Sequence, residues 1–292
     1  MSRGNHRERD GEICWCGSGL NYEACHREID RQAEACRGKG LIIPGRGMLK
    51  TEAQLAGIRA SGRLTHRILD EVEALVRPGV TTAAIDAWVH RFTLELGGYP
   101  ATLGYRGFPK SVCTSVNQVI CHGIPNERQV LQEGDIINID VTTIYNGFYA
   151  DASRMYRVGA VDPAAERLIQ VAREAMELGI AQVQPFQPLD GIGNAIEPFV
   201  RSHGYSVVRD LGGHGVGLAF HESLHVDHFA KRGQGYMLLP GMVFTIEPMV
   251  NAGAPDCRYL DDGWTVVTRD GSLSAQWEHT VAVTRSGVEI LT

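Results

Sequence analysis

The amino-acid sequence predicts a mixed α/β (α+β) protein whose main domain contains two similar halves. Amphipathic helical segments begin at Thr51, strand-like segments flank a turn at Asn146-Gly147, and one strand-like segment recurs further along the chain. With 292 residues, of which 43% are hydrophobic, the chain can bury the core of one large domain or of two modest ones.

The composition limits the classes of protein to which the chain can belong. No apolar run is long enough to span a bilayer, and the polar N-terminus lacks the apolar stretch of a signal peptide. Seven cysteines without an export signal favour free thiols and metal ligands over disulfides. A net charge of −6 does not indicate binding to nucleic acid or to an anionic membrane. We therefore expect a cytoplasmic protein whose partners are neither DNA nor membranes.

Four residues near the N-terminus form a candidate zinc shell: Cys14, Cys16, Cys25 and His26. Thiolates and imidazole are the usual ligands of a tetrahedral structural zinc ion. Because a segment this short has no core of its own, bound metal would supply the energy that folds it. The pattern C-x-C-G-S-G-x-x-Y-x-x-C-H resembles the SEC-C zinc motif and favours a zinc module over a set of unrelated reduced cysteines.

The chain is predicted to divide into three parts. The zinc module occupies residues 1–30, and the main domain occupies residues 51–292. Between them, residues 31–50 are mixed in charge and then rich in glycine, which is typical of a linker.

Two amphipathic helices are predicted at the start of the main domain. Thr51 and Gln54 can form a capping box, and apolar residues follow at helical spacing until Pro78-Gly79. A second helix is predicted to begin at Thr82 and to end at Gly97-Gly98.

A two-residue β-hairpin is predicted at Asn146-Gly147, between two runs of β-branched and aromatic residues. If the residues that flank the turn pair with each other, Thr142 lies opposite Asp151. Asp140 then faces the same side as Thr142, because side chains alternate along a strand. The two carboxylates would be diagonal neighbours that can converge on one cation. The alternative is a solvated sheet face that happens to carry two aspartates.

A weak internal repeat links the two halves of the main domain. The segment LQEGDIINID, which ends at Asp140, recurs as LLPGMVFTIE, which ends at Glu247. Repeats of this size indicate two similar supersecondary units, although so few matches can also arise by chance. We expect Asp140 and Glu247 to be symmetry-related within one cleft.

Two further residues extend this group of acids. Glu278 lies in a strand-like segment, and His214 lies in the run GGHGVG, whose spacing does not fit a phosphate-binding loop. Acidic residues within apolar segments are seldom buried unless they are paired or bind metal. Four carboxylates and one imidazole suit a pair of divalent ions such as Mn²⁺, Fe²⁺ or Co²⁺ that activate water for amide hydrolysis. The sequence therefore predicts a dinuclear metallohydrolase.

From about Leu49 onward, the chain resembles type I methionine aminopeptidase. The motifs that carry the resemblance are CHGIP at 121–125, NIDVT at 138–142, GHGVG at 213–217, FTIEP at 244–248, DGWTV at 262–266 and QWEHT at 276–280. The resemblance implies the pita-bread fold, in which two pseudo-symmetric halves surround a curved antiparallel sheet. The segment SLHVDH at 223–228 departs from the proline-containing sequence that is usual in the family.

The resemblance also implies the roles of the metal ligands. Asp140 would bind one metal, Asp151 and Glu278 would bridge both, and His214 and Glu247 would complete the other. Glu247 would also shuttle the proton of the attacking water. The two ions would be drawn from Co²⁺, Mn²⁺, Fe²⁺, Zn²⁺ and Ni²⁺.

Two histidines and a methionine pocket are carried over in the same way. His122 would lie near the scissile amide, and His221 would donate to the developing oxyanion. The residues that match the pocket for the methionine side chain are Tyr105, Phe108, Cys113, Phe220 and Trp264. Each of these five could equally belong to the core. In some relatives the residues that match Asn117, Val119 and Ser274 offer carbonyls to a monovalent cation.

The expected function is removal of the initiator methionine from nascent polypeptides when the second residue is small and uncharged. Two alternatives are another pita-bread peptidase, such as a prolidase, and a relative that binds peptides without catalysis. A hypothesis for the zinc module is that it binds the ribosome. Because relatives are usually monomers, a monomer is expected.

Overall fold

The computed structural model describes residues 11–37, 40–231 and 235–292, so the first ten residues of the predicted zinc module lie outside it. Within the described residues there are six α-helices: α1 Tyr22–Cys25, α2 Arg27–Cys36, α3 Glu52–Val72, α4 Thr82–Glu95, α5 Pro163–Ala181 and α6 Gly191–Ser202. None of the described helices is long and apolar enough to cross a membrane.

The described residues also contain fifteen strands. The first eight are β1 Tyr99–Pro100, β2 Cys113–Val116, β3 Val119–Cys121, β4 Ile136–Tyr145, β5 Phe148–Arg157, β6 Ser206–Val207, β7 Gly213–Gly215 and β8 Glu222–Val226. The others are β9 Val243–Ile246, β10 Met249–Asn251, β11 Cys257–Tyr259, β12 Val266–Thr268, β13 Ser274–Gln276, β14 Glu278–Val283 and β15 Val288–Ile290.

The predicted start of α3 is confirmed. The Thr51 hydroxyl accepts from the main-chain N–H of Gln54, and the Gln54 side chain accepts from the N–H of Thr51. This capping box satisfies two donors that a helix N-terminus otherwise leaves unpaired. Further along α3, Ile68 and Val72 are fully buried, and the helix packs on β4 and β5.

One antiparallel sheet of nine strands forms the centre of the main domain. Its order is β1-β4-β5-β14-β9-β7-β8, with β2 added to β4 and β15 added to β14. Strands β5 and β14 lie at the middle, and β4 and β9 flank them on either side. The two segments predicted to be repeats therefore occupy equivalent places in the sheet. Their terminal acids, Asp140 and Glu247, lie on β4 and immediately after β9.

Helices cover each half of this sheet. Helices α3 and α4 contribute to a core that includes Ile68, Ile85 and Ile139, whereas α5 and α6 contribute to a core that includes Leu168, Ile196 and Phe244. Both cores consist of aliphatic and aromatic side chains removed from water, the main source of folding free energy. The acidic residues of β4, β5 and β14 therefore lie on a sheet that packs against two hydrophobic cores.

The N-terminal segment is packed onto the main domain. The guanidinium of Arg285 donates to the carbonyl oxygen of Cys25 at 3.0 Å and to its sulfur at 3.3 Å. Within the predicted linker, α2 continues across the expected boundary at residue 30. After α2 the chain runs beside residues 235–242, where the N–H of Ile42 donates to Gly235 and the N–H of Lys50 donates to Gly241. Residues 40–50 are therefore fixed by hydrogen bonds.

Candidate metal centre

The β4–β5 hairpin has the register predicted from the sequence. Tyr145 pairs with Phe148 across the turn, and Thr142 lies directly opposite Asp151. Asn146 has a φ of 51° and Gly147 a φ of 82°, the positive values that a type I′ turn requires. Asp151 is consequently turned toward the same face as Asp140.

A row of three residues crosses the middle of the sheet. Asp140 of β4 pairs with Ser153 of β5, which in turn pairs with Glu278 of β14. Asp151 lies two residues from Ser153 on the same strand, and therefore on the same face. The sheet thus brings together three carboxylates from three adjacent strands.

Strands β7 and β9 bring the remaining two residues to the cluster. Nε2 of His214 lies 3.5 Å from an oxygen of Asp151 and 3.8 Å from an oxygen of Glu247. Potential ligand atoms of Asp151, His214 and Glu278 all lie within 4.8 Å of one another. All five residues assigned to the metal centre from the sequence line a single cavity.

Hydrogen bonds hold the side chains of the cluster in place. The Thr142 hydroxyl donates to Asp151 at 2.7 Å. Glu247 accepts from the Thr245 hydroxyl at 2.6 Å and from the Gln276 amide at 3.1 Å. Such bonds fix the orientation of a carboxylate that can bind a metal ion.

Burial and mutual repulsion shift the acidities of the cluster. Burial, reinforced by the charge of Asp151, raises the pKa of both Asp140 and Glu278 well above the usual range. Burial also raises the pKa of Glu247 to about 7. For Asp151, burial is the largest single influence and would raise the pKa, but the hydrogen bonds from His214 and Thr142 and the charge of His214 together lower it. If all four carboxylates were ionised, their negative charge would exceed what one histidine can compensate, which is why three of the four pKa values are raised.

The donor set fits divalent cations. Oδ1 of Asp140 is buried and has no hydrogen-bond partner among the described residues. A buried acceptor without a partner is costly, and so is a group of buried carboxylates without a counter-charge. Carboxylate oxygens with one imidazole are the ligands that Mn²⁺, Fe²⁺ and Co²⁺ accept.

The same cavity contains every residue of the predicted methionine pocket. Its volume is about 300 Å³, and its lining includes Tyr105, Phe108, Cys113, Phe220 and Trp264. The rings of Phe108 and Trp264 meet edge to face at 5.2 Å, and those of Tyr105 and Phe220 lie 4.5 Å apart. Cys113 pairs with Asp140 across β2 and β4, so the pocket directly adjoins the carboxylates.

The two histidines without a predicted metal role also face the cavity. His221 stacks on His214 at 3.9 Å and on Tyr105 at 5.2 Å. Burial lowers the pKa of His221 to about 4 and also lowers the pKa of His122. His122 has a φ of 54°, a conformation that non-glycine residues rarely adopt and that a tight turn must stabilise. Both imidazoles are neutral at pH 7.

The residues suggested for a monovalent cation lie close together on neighbouring segments. The carbonyl of Asn117 accepts from the N–H of Ser274 at 2.9 Å, and Val119 belongs to β3, which pairs with β12. The cation itself stays a prediction.

One supporting residue was not predicted. His228 is buried, and its Nε2 accepts from the main-chain N–H of Glu247 at 3.1 Å. Burial lowers its pKa to about 3, so it is a neutral acceptor. The only sequence signal was a histidine in the unusual segment SLHVDH. The first residues of this segment belong to β8, which pairs with β7.

The second cluster consists of the four zinc-ligand candidates. Potential ligand atoms of Cys14, Cys16, Cys25 and His26 lie within 4.8 Å of one another, and all four residues are buried. The sulfur of Cys14 lies 3.1 Å from Nδ1 of His26, and the sulfurs of Cys16 and Cys25 lie 3.4 Å apart. This converging arrangement fits a structural zinc ion.

Comparison with known proteins identifies the family of the chain. The model of metallopeptidase family M24 matches residues 56–285, and the SEC-C motif matches residues 12–28. Methionine aminopeptidase A of Synechocystis sp. is 49% identical over 244 residues, which cover 84% of this chain and 96% of the relative. The methionine aminopeptidase of Escherichia coli K12 is 47% identical over 245 residues, which cover 84% of this chain and 93% of that relative.

A solved structure agrees with these matches. The crystal structure of methionine aminopeptidase from Rickettsia prowazekii superimposes with a TM-score of 0.82 at 49% identity. The superposition covers 84% of this chain and 98% of the Rickettsia chain. The expected pita-bread fold is confirmed, and divalent metal ions are implied by the family. The chain therefore belongs to metallopeptidase family M24 and, within it, to the methionine aminopeptidases.

Proposed function

We propose that this protein removes the N-terminal methionine from nascent polypeptides when the second residue is small and uncharged. The observation that carries the proposal is the position of a narrow aromatic and thiol pocket beside a buried carboxylate cluster. An unbranched thioether fits such a pocket, because sulfur and aromatic rings attract each other and the methionine side chain is flexible.

Asp140, Asp151, His214, Glu247 and Glu278 would hold two divalent ions. Such ions lower the pKa of water and polarise a carbonyl, which supplies a nucleophile at neutral pH. Because four of the five side chains are acidic, they would neutralise most of the charge of two divalent cations. The unpaired oxygen of Asp140 supports its role as a ligand.

Glu247 would move the proton of the reaction. Thr245 fixes one of its carboxylate oxygens and Gln276 fixes the other, and the carboxylate lies 3.8 Å from Nε2 of His214 within the cluster. A fixed carboxylate beside the attacking water can accept a proton and return it to the leaving amine. A fixed base of this kind needs little reorganisation during the reaction.

His122 and His221 would act on the substrate amide. Because burial keeps both imidazoles neutral at pH 7, each can donate one N–H hydrogen bond and add no charge to the site. His221 would stabilise the charge that develops on the carbonyl oxygen, and His122 would orient the scissile bond.

The test uses metal-reconstituted protein and three peptides: Met-Ala-Ser, Met-Pro and Ala-Pro. Release of methionine from Met-Ala-Ser is the expected result, with Asp151→Asn as the inactive control. Cleavage of Ala-Pro alone would indicate a prolidase-like enzyme. Binding of Met-Ala-Ser without release would indicate a peptide-binding relative and overturn the proposal.

For the N-terminal module we propose one structural zinc ion and a role in binding the ribosome. The first 50 residues carry 9 Lys and Arg against 7 Asp and Glu, so they are only slightly basic. The proposed activity is needed in the cytoplasm, where nascent N-termini emerge, and a monomer would suffice because all site residues come from one chain. Deletion of residues 1–46 should weaken ribosome co-sedimentation but leave tripeptide turnover intact. Unchanged co-sedimentation would refute the ribosome role.

A further inference from the structure

Lys50 is a charged residue buried just before α3. Only 1% of its side chain is exposed, and its ammonium forms an ion pair with the carboxylate of Glu222. An ammonium group loses favourable hydration when it is buried, so it needs a fixed partner. Nothing in the proposed chemistry requires a lysine here, and its position therefore calls for another explanation.

Glu222 closes the loop that carries His221. One of its carboxylate oxygens accepts from Lys50, and the other accepts from the main-chain N–H of Leu218 at 2.9 Å. Residues 218–222 are thereby held as a closed turn. Phe220 and His221, which line the cavity, both belong to this turn.

Lys50 is itself fixed at two points. Its main-chain N–H donates to the carbonyl of Gly241 at 2.7 Å, just before β9. Its side chain passes Gly217, where an added Cβ would lie 3.4 Å from Cε of Lys50 and 2.5 Å from Cδ1 of Ile58. The ammonium therefore reaches Glu222 from a rigid support.

The turn determines where the His221 ring can lie. This ring stacks between His214 and Tyr105, at interplanar angles of 26° and 12°. The His221 main chain is adjacent to Glu222, so a shift of the carboxylate moves the ring within this stack. Displacements of about 1 Å can cost on the order of 100-fold in rate when a catalytic group must be aligned.

We propose that Lys50 is a positioning residue that orients His221 through Glu222. This inference rests on the proposed methionine aminopeptidase function. The Lys50 ammonium neutralises the Glu222 carboxylate and holds the turn 218–222, so that the imidazole of His221 points at the substrate carbonyl. Lys50 touches neither substrate nor metal ligands in this role.

The experiment measures kcat and KM on Met-Ala-Ser for the full-length, metal-loaded Lys50→Met enzyme. We expect kcat to fall by about 10- to 100-fold with little change in KM, because alignment affects the transition state more than ground-state binding. Lys50→Arg should recover much of the rate, since it restores the cation. Unchanged kcat, or a change confined to KM, would overturn the proposal.

A double-mutant cycle separates positioning from general damage. If Lys50 acts through His221, Lys50→Met should cause almost no further loss in a His221→Ala background. If the two losses multiply, Lys50 acts independently of His221 and the proposal fails. A wild-type enzyme that releases no methionine would instead refute the proposed function.

A charge-neutral variant covers the case in which Lys50→Met does not fold. In Lys50→Met/Glu222→Gln no buried charge lacks a partner, and the glutamine oxygen can still accept from Leu218. We expect its thermal stability to recover while kcat stays low. Recovery of kcat to the wild-type value would show that the unpaired charge caused the defect and would overturn the proposal.

Discussion

Thr142 lies directly across the hairpin from Asp151, and its hydroxyl donates a 2.7 Å hydrogen bond to the Asp151 carboxylate. The next residue, Thr143, faces the opposite side of the sheet and bonds to Ser61 and Thr65 of α3. Two adjacent threonines therefore have separate tasks. The first orients a proposed metal ligand, and the second joins sheet to helix.

Thr142→Val should weaken metal binding without unfolding the protein. Loss of a hydrogen bond that orients a ligand typically reduces metal affinity about 10- to 100-fold. Thr143→Val is the matched control, because it should lower the free energy of unfolding by about 1 kcal/mol and leave metal affinity unchanged. Calorimetric titration and urea unfolding measure the two effects. Equal metal affinities for the two variants would contradict the assignment.

Insertion of one glycine between Asn146 and Gly147 should abolish metal binding. A one-residue slip turns every following side chain to the other face, so Asp151 would leave the cluster. Retained helical signal in circular dichroism would show that the domain still folds. A control insertion between Ser286 and Gly287 shifts only β15, which carries none of the five proposed ligands. Full metal occupancy after the first insertion would refute the role of the register.

His228→Ala should destabilise the protein and loosen Glu247. The change leaves the main-chain N–H of Glu247 without its acceptor, which costs about 1–3 kcal/mol for a buried group. His228→Gln retains an acceptor and should be milder. Urea unfolding with and without metal measures the free energy of unfolding of both variants. Identical stabilities would argue against the hydrogen bond.

Metal-free protein should lose stability as the pH rises through neutrality. Burial raises the pKa of Glu247 from 4.5 to about 7, so between these values the folded state binds more protons than the unfolded state. For this group stability is therefore greatest below about pH 4.5, and about 3 kcal/mol is lost by pH 7. Asp140 and Glu278 act in the same direction, whereas the lowered pKa values of His221 and His228 act in the opposite direction below about pH 6.5.

The pH effect is measured as the thermal midpoint of chelator-treated protein between pH 6.5 and 8, above the range in which the buried histidines oppose it. Added Mn²⁺ should reverse the loss, because deprotonated carboxylates bind the cation. A midpoint that rises with pH over this range in the absence of metal would contradict the raised pKa values of Asp140, Glu247 and Glu278.

Cys14→Ser should remove one equivalent of zinc from the protein. Cys14 is one of four converging ligands, whereas Cys36 lies outside the cluster, and Cys36→Ser should leave the zinc content unchanged. Elemental analysis counts the metal, and turnover of Met-Ala-Ser should persist in both variants. Equal zinc content in the two variants would refute the module.

Much of the candidate site could be predicted because its positions follow from local rules. The turn at Asn146-Gly147 sets the hairpin register, and strand alternation then sets the face of Asp140 and Asp151. His228 could not be predicted, because its partner is a main-chain N–H that lies 19 residues away and meets it only in the folded protein.

Part of the segment predicted to be a linker is helical, for a physical reason. The mixed charges that indicated a linker are the surface of α2, where Arg31 pairs with Glu28 and Arg37 with Glu34 at helical spacing. Lys50 had no distinguishing pattern, since its partner Glu222 is 172 residues away. Long-range contacts of this kind depend on tertiary packing.

The contact between Arg285 and Cys25 joins residues 260 positions apart, which has a consequence for biosynthesis. Cys14 to His26 leave the ribosome early and can bind zinc as a local unit, because all four ligands lie within one short segment. Arg285 is made long afterwards, so this contact can form only once β14, the strand that carries Glu278, has been translated.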